Sequence, residues 1–466
     1  MKTILKLALG LAFLLLPSVS EGKSAWPVLP DKRLLWQSNY DREGNLKDEA
    51  SSVALKENML FVAGETATTA GGSAFTVRAY STRNGALLWE DNYDREGSLW
   101  DWGYKVVVSD KKVFVVGGTE SAEGGSAFAV RAYNANNGKL LWKDNYDREG
   151  AFWDGAYDVV VRNDRVFVVG GTESAEGGSA FAVRAYNANN GELLWQDNHD
   201  RSGSLWDEAW SVAATDDKVF VAGGTETAEG GGAFTVRAYN VKDGKLLWQN
   251  NYDREGSLWD GAYSVAVKGN RVFVVGETES VAGGSAFSVR VYSANNGALL
   301  WEDNYDREGT LWDWAYNVAV KYDTVFVVGG TETTTGGNAF TVRAYNVANG
   351  ALLWQDNYDR EGGLSDGAYN LVVSGKKVFV VGKTETTTGG SAATVRGYNS
   401  ASGSVVFETY YDREGSKWDG AYDVAYQGGK LFVAGGSETT AGGSAFAVRT
   451  YKVDVHLHDS YKREDD

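Results

Sequence analysis

A six-residue string, Asn-Tyr-Asp-Arg-Glu-Gly, returns along this chain every 53 residues, and that interval constrains the fold more than any other feature. Its tyrosine stands at Tyr40, Tyr93, Tyr146, Tyr252, Tyr305 and Tyr358, with His199 and Tyr411 completing the series. Eight copies run from Leu34 to Tyr451 with no insertion between them. A period of this length marks a repeat architecture, in which one supersecondary unit buries its apolar face against the next.

One unit shows the elements. Tyr104–Ser109 reads as an apolar strand, followed by the polar turn Ser109-Asp110-Lys111-Lys112. Val113–Val116 is a second apolar run, which Gly117-Gly118 is expected to end. A glycine-rich loop, Thr119 to Gly125, leads to a third β-rich run, Ala127–Tyr133. Asn134 to Gly138 is a turn of residues that tolerate positive φ, and Lys139–Asn145 is a fourth strand. Short strands between strong turn signals argue an all-β chain, and no segment holds a 3.6-residue apolar period over helical length.

Four strands in each of eight units predict an eight-bladed β-propeller. A linear stack is the alternative, but it needs atypical polar caps, and none is visible. The array opens with a lone fourth strand, Leu34 to Tyr40, and closes with strands one to three, Ala421 to Tyr451. The first piece can therefore complete the last blade and shut the ring, which removes the open sheet edge.

Outside the repeats, residues 1–20 read as a secretory signal peptide. Lys2 and Lys6 precede and interrupt an apolar run to Leu16, and Ser18-Val19-Ser20 places small residues before a cleavage at Glu21. Residues 21–33 form a lead-in, 34–451 the propeller, and 452–466 a charged tail. The chain has no cysteine, which excludes disulfides, thiolate metal sites, thiol nucleophiles and a lipidated N-terminal cysteine. The expected location is therefore the periplasm or the medium. A net charge of −17 repels polyanions, so neither nucleic acid nor membrane insertion is expected, and a monomer is.

The run Ala132-Tyr133-Asn134-Ala135-Asn136-Asn137-Gly138-Lys139-Leu140-Leu141-Trp142 resembles the tryptophan-docking motif of quinoprotein dehydrogenases. Similar runs end at Trp89, Trp195, Trp248 and Trp354. The run ending at Trp301 starts with Val291, and the last replaces the tryptophan with Phe407. The resemblance is to the PQQ-like propeller superfamily. It implies eight blades in which each tryptophan packs on the neighbouring blade. The superfamily also holds non-enzymatic members, such as the outer-membrane assembly lipoprotein propeller. Quinoprotein dehydrogenases carry a vicinal disulfide and blade-specific calcium and base residues. This chain has no cysteine, and no blade shows a clearly private set.

Two sets of charged residues recur. Arg78, Arg131, Arg184, Arg237, Arg290, Arg343, Arg396 and Arg449 fall in the third strand, where a covering blade demands anionic partners; the loop Asp and Glu residues are the expected ones. The fourth-to-first loop barely changes between copies, whereas the first-to-second turn varies freely. Its candidate ligand-binding residues are Asp94, Arg95, Glu96, Trp100 and Asp101; Asp147, Arg148, Glu149, Trp153 and Asp154; Asp253, Arg254, Glu255, Trp259 and Asp260; and Asp306, Arg307, Glu308, Trp312 and Asp313. Rings that stack beside groups that donate and accept hydrogen bonds suit a glycan or peptide.

Asn92-x-Asp94-x-Glu96-Gly97 resembles half of a calcium loop, but no glutamate closes it and Arg95 adds positive charge. No cofactor is expected, calcium and pyrroloquinoline quinone (PQQ) being the two candidates. Only His199, His456 and His458 are available as imidazole bases. Eight equivalent loops give no pair of carboxyls the different environments that acid–base work needs, so no catalytic residue is expected. The sequence reads as an exported, non-catalytic binding or scaffold propeller with a protein or glycan ligand on its loop face. The alternatives are a quinone- or metal-dependent oxidoreductase and a platform for envelope assembly.

Overall fold

Each 53-residue unit folds into one four-stranded antiparallel sheet, and eight such sheets hold all thirty-two strands of the described residues. The computed structural model describes residues 31–453 except 45, 98, 150–151, 202–204, 229, 256–257, 309–310, 335, 363, 388 and 414–416. The expected signal peptide, most of the lead-in and nearly all of the tail lie outside the described residues. Blades 1 to 7 comprise residues 48–93, 101–146, 154–199, 207–252, 260–305, 313–358 and 367–411, while blade 8 comprises 419–452 together with 34–40. Leu34–Tyr40 pairs antiparallel with Ser444–Lys452, from Leu34 opposite Tyr451 to Tyr40 opposite Phe446, and this closes the ring.

In blade 2 the strands are Asp101–Ser109, Lys112–Glu120, Ser126–Asn134 and Leu140–Tyr146. The second strand does not end at Gly117-Gly118 but runs through both glycines to Glu120. The reason is close approach. A Cβ on Gly117 would lie 1.9 Å from the Trp102 carbonyl oxygen on the first strand, so only glycine lets the ladder continue there. Opposite this point the first strand carries an extra residue, Tyr104, between Gly103 and Lys105. The same bulge recurs in every blade. A bulge re-aims side chains, and here it turns two successive residues of each first strand toward the ring axis. First strands of successive blades contact one another around the whole ring.

The core lies between blades rather than within them. Phe61, Phe75, Val77 and Trp89 of blade 1 pack with Val106, Val113, Val115 and Tyr133 of blade 2, and equivalent clusters fill the other junctions. Trp89 stacks on Tyr133 at 6.0 Å, and its indole N–H donates to the Ala135 carbonyl at 2.9 Å. Trp142, Trp195, Trp248, Trp301 and Trp354 repeat that bond one blade further on each time.

The third-strand arginines sit at the same junctions, but their partners differ from those expected. The guanidinium of Arg131 lies 3.8 Å from the ring centre of Tyr93, on the preceding blade, and donates to Asp91 of that blade's fourth strand at 3.3 Å. Its Nε donates to the hydroxyl of Tyr133, which in turn donates to Asp91. Arg184, Arg343 and Arg396 repeat the arrangement with Asp144, Asp303 and Asp356. Arg78, Arg290 and Arg449 also lie over the ring of the preceding blade, on Tyr40, Tyr252 and Tyr411. The recurrent tyrosine is therefore a stacking platform for a buried cation. Fourth-strand carboxylates face seven of these arginines, Asp91, Asp144, Asp197, Asp303 and Asp356 from across the junction and Glu90 and Glu302 from the same blade, while Arg449 has the loop carboxyl of Asp419 near it.

Trp248 closes the junction between blades 4 and 5, where it meets Phe220 and Tyr292. We expect Trp248→Ala to destabilise the protein by about 3–5 kcal/mol, as large aromatic truncations in packed cores do. Trp248→Phe should cost less, because it keeps most of the packing and loses the hydrogen bond. Chemical denaturation followed by tryptophan fluorescence measures both.

Candidate functional site

The Asp-Arg-Glu-Gly loops turn out to be stitched into the fold. Asp101 is fully buried. One of its carboxylate oxygens accepts the Arg95 amide at 2.5 Å and the other the Glu120 amide at 3.0 Å, which ties the fourth-to-first loop to the second strand. Asp154, Asp260 and Asp313 do the same with Arg148 and Glu173, Arg254 and Glu279, and Arg307 and Glu332. Asp94 accepts the amide of Gly97. Glu96, Glu149, Glu255 and Glu308 reach the next loop of their own blade and accept the amides of Ala122, Ala175, Val281 and Thr334. Arg95, Arg148 and Arg254 donate to the carbonyls of Thr119, Thr172 and Thr278. Asp147, Asp253 and Asp306 also have partners. The charged groups of these loops are thus engaged with their own blade, and among the described residues no three His, Asp or Glu side chains converge to hold a metal ion.

The tryptophans differ. Trp100, Trp206 and Trp312 are exposed, Trp100 by 47%, and Trp153, Trp259 and Trp418 are half-buried. Each pairs its backbone with the start of the preceding blade's third strand. Trp206 and Trp259 lie 5.5 Å apart, with Trp210 packed against both.

What the loops hold constant, the ring axis varies. The bulge position carries Tyr104, Tyr157, Trp210, Tyr263, Tyr316, Tyr369 and Tyr422, but Ser51 in blade 1. Most of these rings touch the next one round, at 5.6 Å for Tyr104–Tyr157 and 5.3 Å for Trp210–Tyr263. The following position holds Ser52, Lys105, Asp158, Ser211, Ser264, Asn317, Asn370 and Asp423. These side chains link from blade to blade: Ser264 donates to Asn317, Asn317 to Asn370, Asn370 to Asp423, and Ser52 and Lys105 to Asp423. On the other side Ser211 donates to Asp158. A cavity of about 310 Å³ on the axis is bounded by both sets.

Two positions before the bulge, blades also diverge. Glu49, Trp102, Glu208 and Trp314 stand where blades 3, 5, 7 and 8 have glycine. Their cross-strand partners follow suit: Trp102 and Trp314 lie over Gly118 and Gly330, where a Cβ would meet the indole. Glu208 is almost fully buried. It accepts from the Trp210 indole at 3.0 Å and the Tyr157 hydroxyl at 3.2 Å, and burial pushes its carboxyl up to about 7. Glu277 accepts from the hydroxyls of Tyr263 and Ser285, and burial raises it too. Blades therefore do carry private residues, contrary to the expectation from the loops. Sequence reasoning missed them because it compared loops. The signal was a column-by-column comparison of the first strands, where polar identity changes at most steps.

These features define the chain as an eight-bladed propeller of the tryptophan-docked type, with its variable chemistry at the mouth of the axis. The chain belongs to the family described as outer membrane protein assembly factor BamB, which it matches over residues 73–284, 179–391 and 285–450. Among curated proteins it is similar to the tetrathionate hydrolase of Acidithiobacillus ferrooxidans, with 26% identity over 232 residues. That match is 48% of this chain and 40% of the relative, so the chain spans well under half of that protein's length. Among solved structures it is similar to BamB from Moraxella catarrhalis, at 13% identity and a TM-score of 0.52 over 90% of this chain and 99% of that one. It is also similar to quinohemoprotein alcohol dehydrogenase from Comamonas testosteroni, at 14% identity and a TM-score of 0.54 over 93% and 78%. At such identities the structural likeness speaks for the fold alone.

The mouth does not fit the quinone cofactor of the dehydrogenases. PQQ is a tricarboxylate, and the mouth and axis set Glu49, Glu65, Glu208, Glu277, Asp158 and Asp423 against Lys47, Lys105 and Lys383, with Glu208 buried and bonded to the Trp210 indole and the Tyr157 hydroxyl.

Burial raises the carboxyls of all eight loop aspartates, seven of them to about 6 or 7, against the lowering effect of the amides they accept. A raised carboxyl holds its proton in the folded state where the unfolded chain has lost it. Its stabilisation is complete below the unfolded value near 4 and is lost as pH rises through 7. His199, pushed down to about 4 by burial and the neighbouring Arg237, acts oppositely, but it is one group against eight. The melting temperature should therefore be higher at pH 5 than at pH 8. Asp101→Asn should lower stability overall and flatten the slope by up to about 1.4 kcal/mol per pH unit, the value of one proton. Thermal melts across pH 4–9 measure both.

Proposed function

We propose that this protein is an exported, non-catalytic binding platform that takes a protein segment or glycan on its tryptophan-bearing face. The observation that carries the reading is the set of exposed and half-exposed tryptophans, Trp100, Trp206, Trp259 and Trp312, standing around a mouth lined by rings and carboxyls. Rigid aromatic faces supply contact area with little loss of conformational freedom on binding. The loop charges support them from below, since their hydrogen bonds hold the loops that carry the rings. Propellers of this family are typically periplasmic or extracellular, which agrees with the N-terminal targeting pattern and the absence of cysteine. The description of the matching family, outer membrane protein assembly factor, fits a platform of this kind. The activity named for the tetrathionate hydrolase is not carried over, because an acidic mouth repels a dianionic substrate.

The test is a glycan array and a peptide array probed with the full chain and with Trp100→Ala/Trp259→Ala. We expect ligands from one array, with affinity at least tenfold weaker in the double variant and an unchanged far-ultraviolet dichroism spectrum. No ligand on either array, or undiminished binding by the variant, would overturn the reading.

A further inference from the structure

Blade 1 interrupts the pattern of the mouth at four positions at once. Lys47 replaces the loop tryptophan present in six other blades, and Ser51 replaces the bulge aromatic present in all seven. Glu49 and Glu65 face each other across the first two strands, as direct register partners, where every other blade has a glycine in at least one of the two places and none has a pair of carboxyls. The loss of the ring at Ser51 leaves a notch between Tyr422 of blade 8 and Tyr104 of blade 2. Cavities of about 440 Å³ and 280 Å³ flank it, and both are lined by Lys47 and Glu49.

The larger cavity is lined by the rings of Trp100, Trp102, Trp153 and Tyr104 and by the carboxyls of Glu49, Glu65 and Glu120. The Glu49 and Glu65 side chains are only 19% and 15% exposed. Between them lies the ammonium of Lys47, 3.3 Å from one and 2.8 Å from the other, on a side chain 54% exposed. One cation thus answers two carboxylates, and the surplus negative charge sits among aromatic faces. Burial raises the Glu49 carboxyl, as expected for a carboxylate short of counter-charge.

We propose that this notch binds an organic cation, an alkylammonium or guanidinium group, between Glu49, Glu65 and the tryptophan walls. The Lys47 ammonium marks where the ligand's charge goes. A carboxylate pair supplies the electrostatic attraction, and indole faces attract a desolvated cation through their quadrupoles. Lys47, on a largely exposed stem, can swing out and concede the position. The inference rests on the binding-platform reading and deepens it by giving the ligand a charge and a place of entry at one blade.

The experiment is calorimetric titration of the full chain with two cationic probes and their neutral counterparts. The first pair is 1,5-diaminopentane and 1,5-pentanediol. The second is a lysine-containing hexapeptide and the same peptide with norleucine in place of lysine. We expect the cations to bind and the neutral probes to fail. Glu49→Gln and Glu65→Gln should each weaken binding at least tenfold. Lys47→Met should strengthen it several-fold, because it removes the internal competitor. As Lys47 is exposed, that variant remains informative if a glutamate variant folds poorly. Binding of both cations supports a site for free amines, and binding of the peptide alone supports a site for a protein-borne side chain. Equal binding of the neutral probes, no binding of either cation, or weaker binding by Lys47→Met overturns the proposal. In those cases an array ligand still lost in Trp100→Ala/Trp259→Ala would leave the platform standing without the notch.

Discussion

Every junction of this ring depends on a cation buried between two blades. Arg131 is almost inaccessible, and so are its seven counterparts. A guanidinium taken out of water must be surrounded by groups that replace hydration. Blade 2 supplies one, the Tyr133 hydroxyl, and blade 1 supplies the Tyr93 ring and Asp91. Neither blade can satisfy its arginine alone. The indole of Trp89 makes the same demand in reverse, seeking its carbonyl on blade 2. A unit of this kind is therefore incomplete on both sides, and a closed ring is the arrangement in which every unit meets a neighbour. Leu34–Tyr40 fits this logic: it brings Tyr40 beneath Arg78 of blade 1 while pairing with blade 8. Ring closure at the sheet and ring closure at the guanidinium are the same event.

This dependence explains why the Asp-Arg-Glu-Gly string repeats so faithfully. Its tyrosine is the platform for the next blade's arginine, its glutamate holds an adjacent loop, and the aspartate that ends the loop fastens two backbone amides. A face held constant within a chain suggests a ligand, but here most of the constancy is structural. The free first-to-second turns lie where no neighbouring blade makes such demands. The fourth copy shows what a departure does. With His199 in place of tyrosine, an imidazole instead of a phenol stands beside Arg237, and burial and the guanidinium itself push the imidazole down to about 4.

The ring, its count of blades and its mode of closure were legible in the sequence, because period, strand number and split terminal units are properties of spacing. Tryptophan docking was legible through its motif. The arginine partners were not. Sequence spacing places Asp91 on a strand and Asp94 on a loop, but only the twist of one sheet against the next decides which faces Arg131. The reach of the second strand through Gly117-Gly118 was hidden for a related reason. A glycine pair reads as a break, whereas here it admits the bulge of the neighbouring strand. The bulge itself leaves no mark in composition, yet it is what turns Tyr104 and Lys105 together toward the axis. Without it the polar run Ser52, Lys105, Asp158 and Asp423 reads as ordinary variation in half-buried strands.

The same physics locates the variable chemistry. At a blade junction a residue faces one fixed neighbour, and a change there must be matched by a second change on the next blade. On the axis all eight first strands face one another, and a side chain meets several partners. Asn317 can receive from Ser264 and donate to Asn370, while Asp423 gathers three side-chain donors from three other blades. Substitutions there are absorbed by rearranging a hydrogen-bond belt instead of breaking a packed interface. Where large and small residues are exchanged near the mouth, a glycine makes the room, on the same blade for Trp102 over Gly118 and on the preceding blade for Glu208 over Gly171. A repeat ring can thus keep eight junctions nearly identical and still bring dissimilar groups together at its centre. Blade 1 takes this furthest. It gives up the ring at Ser51 and the indole at Lys47, positions that face the mouth, while keeping Asp48, which fastens its own loop, and Arg78 and Trp89, which face its neighbours.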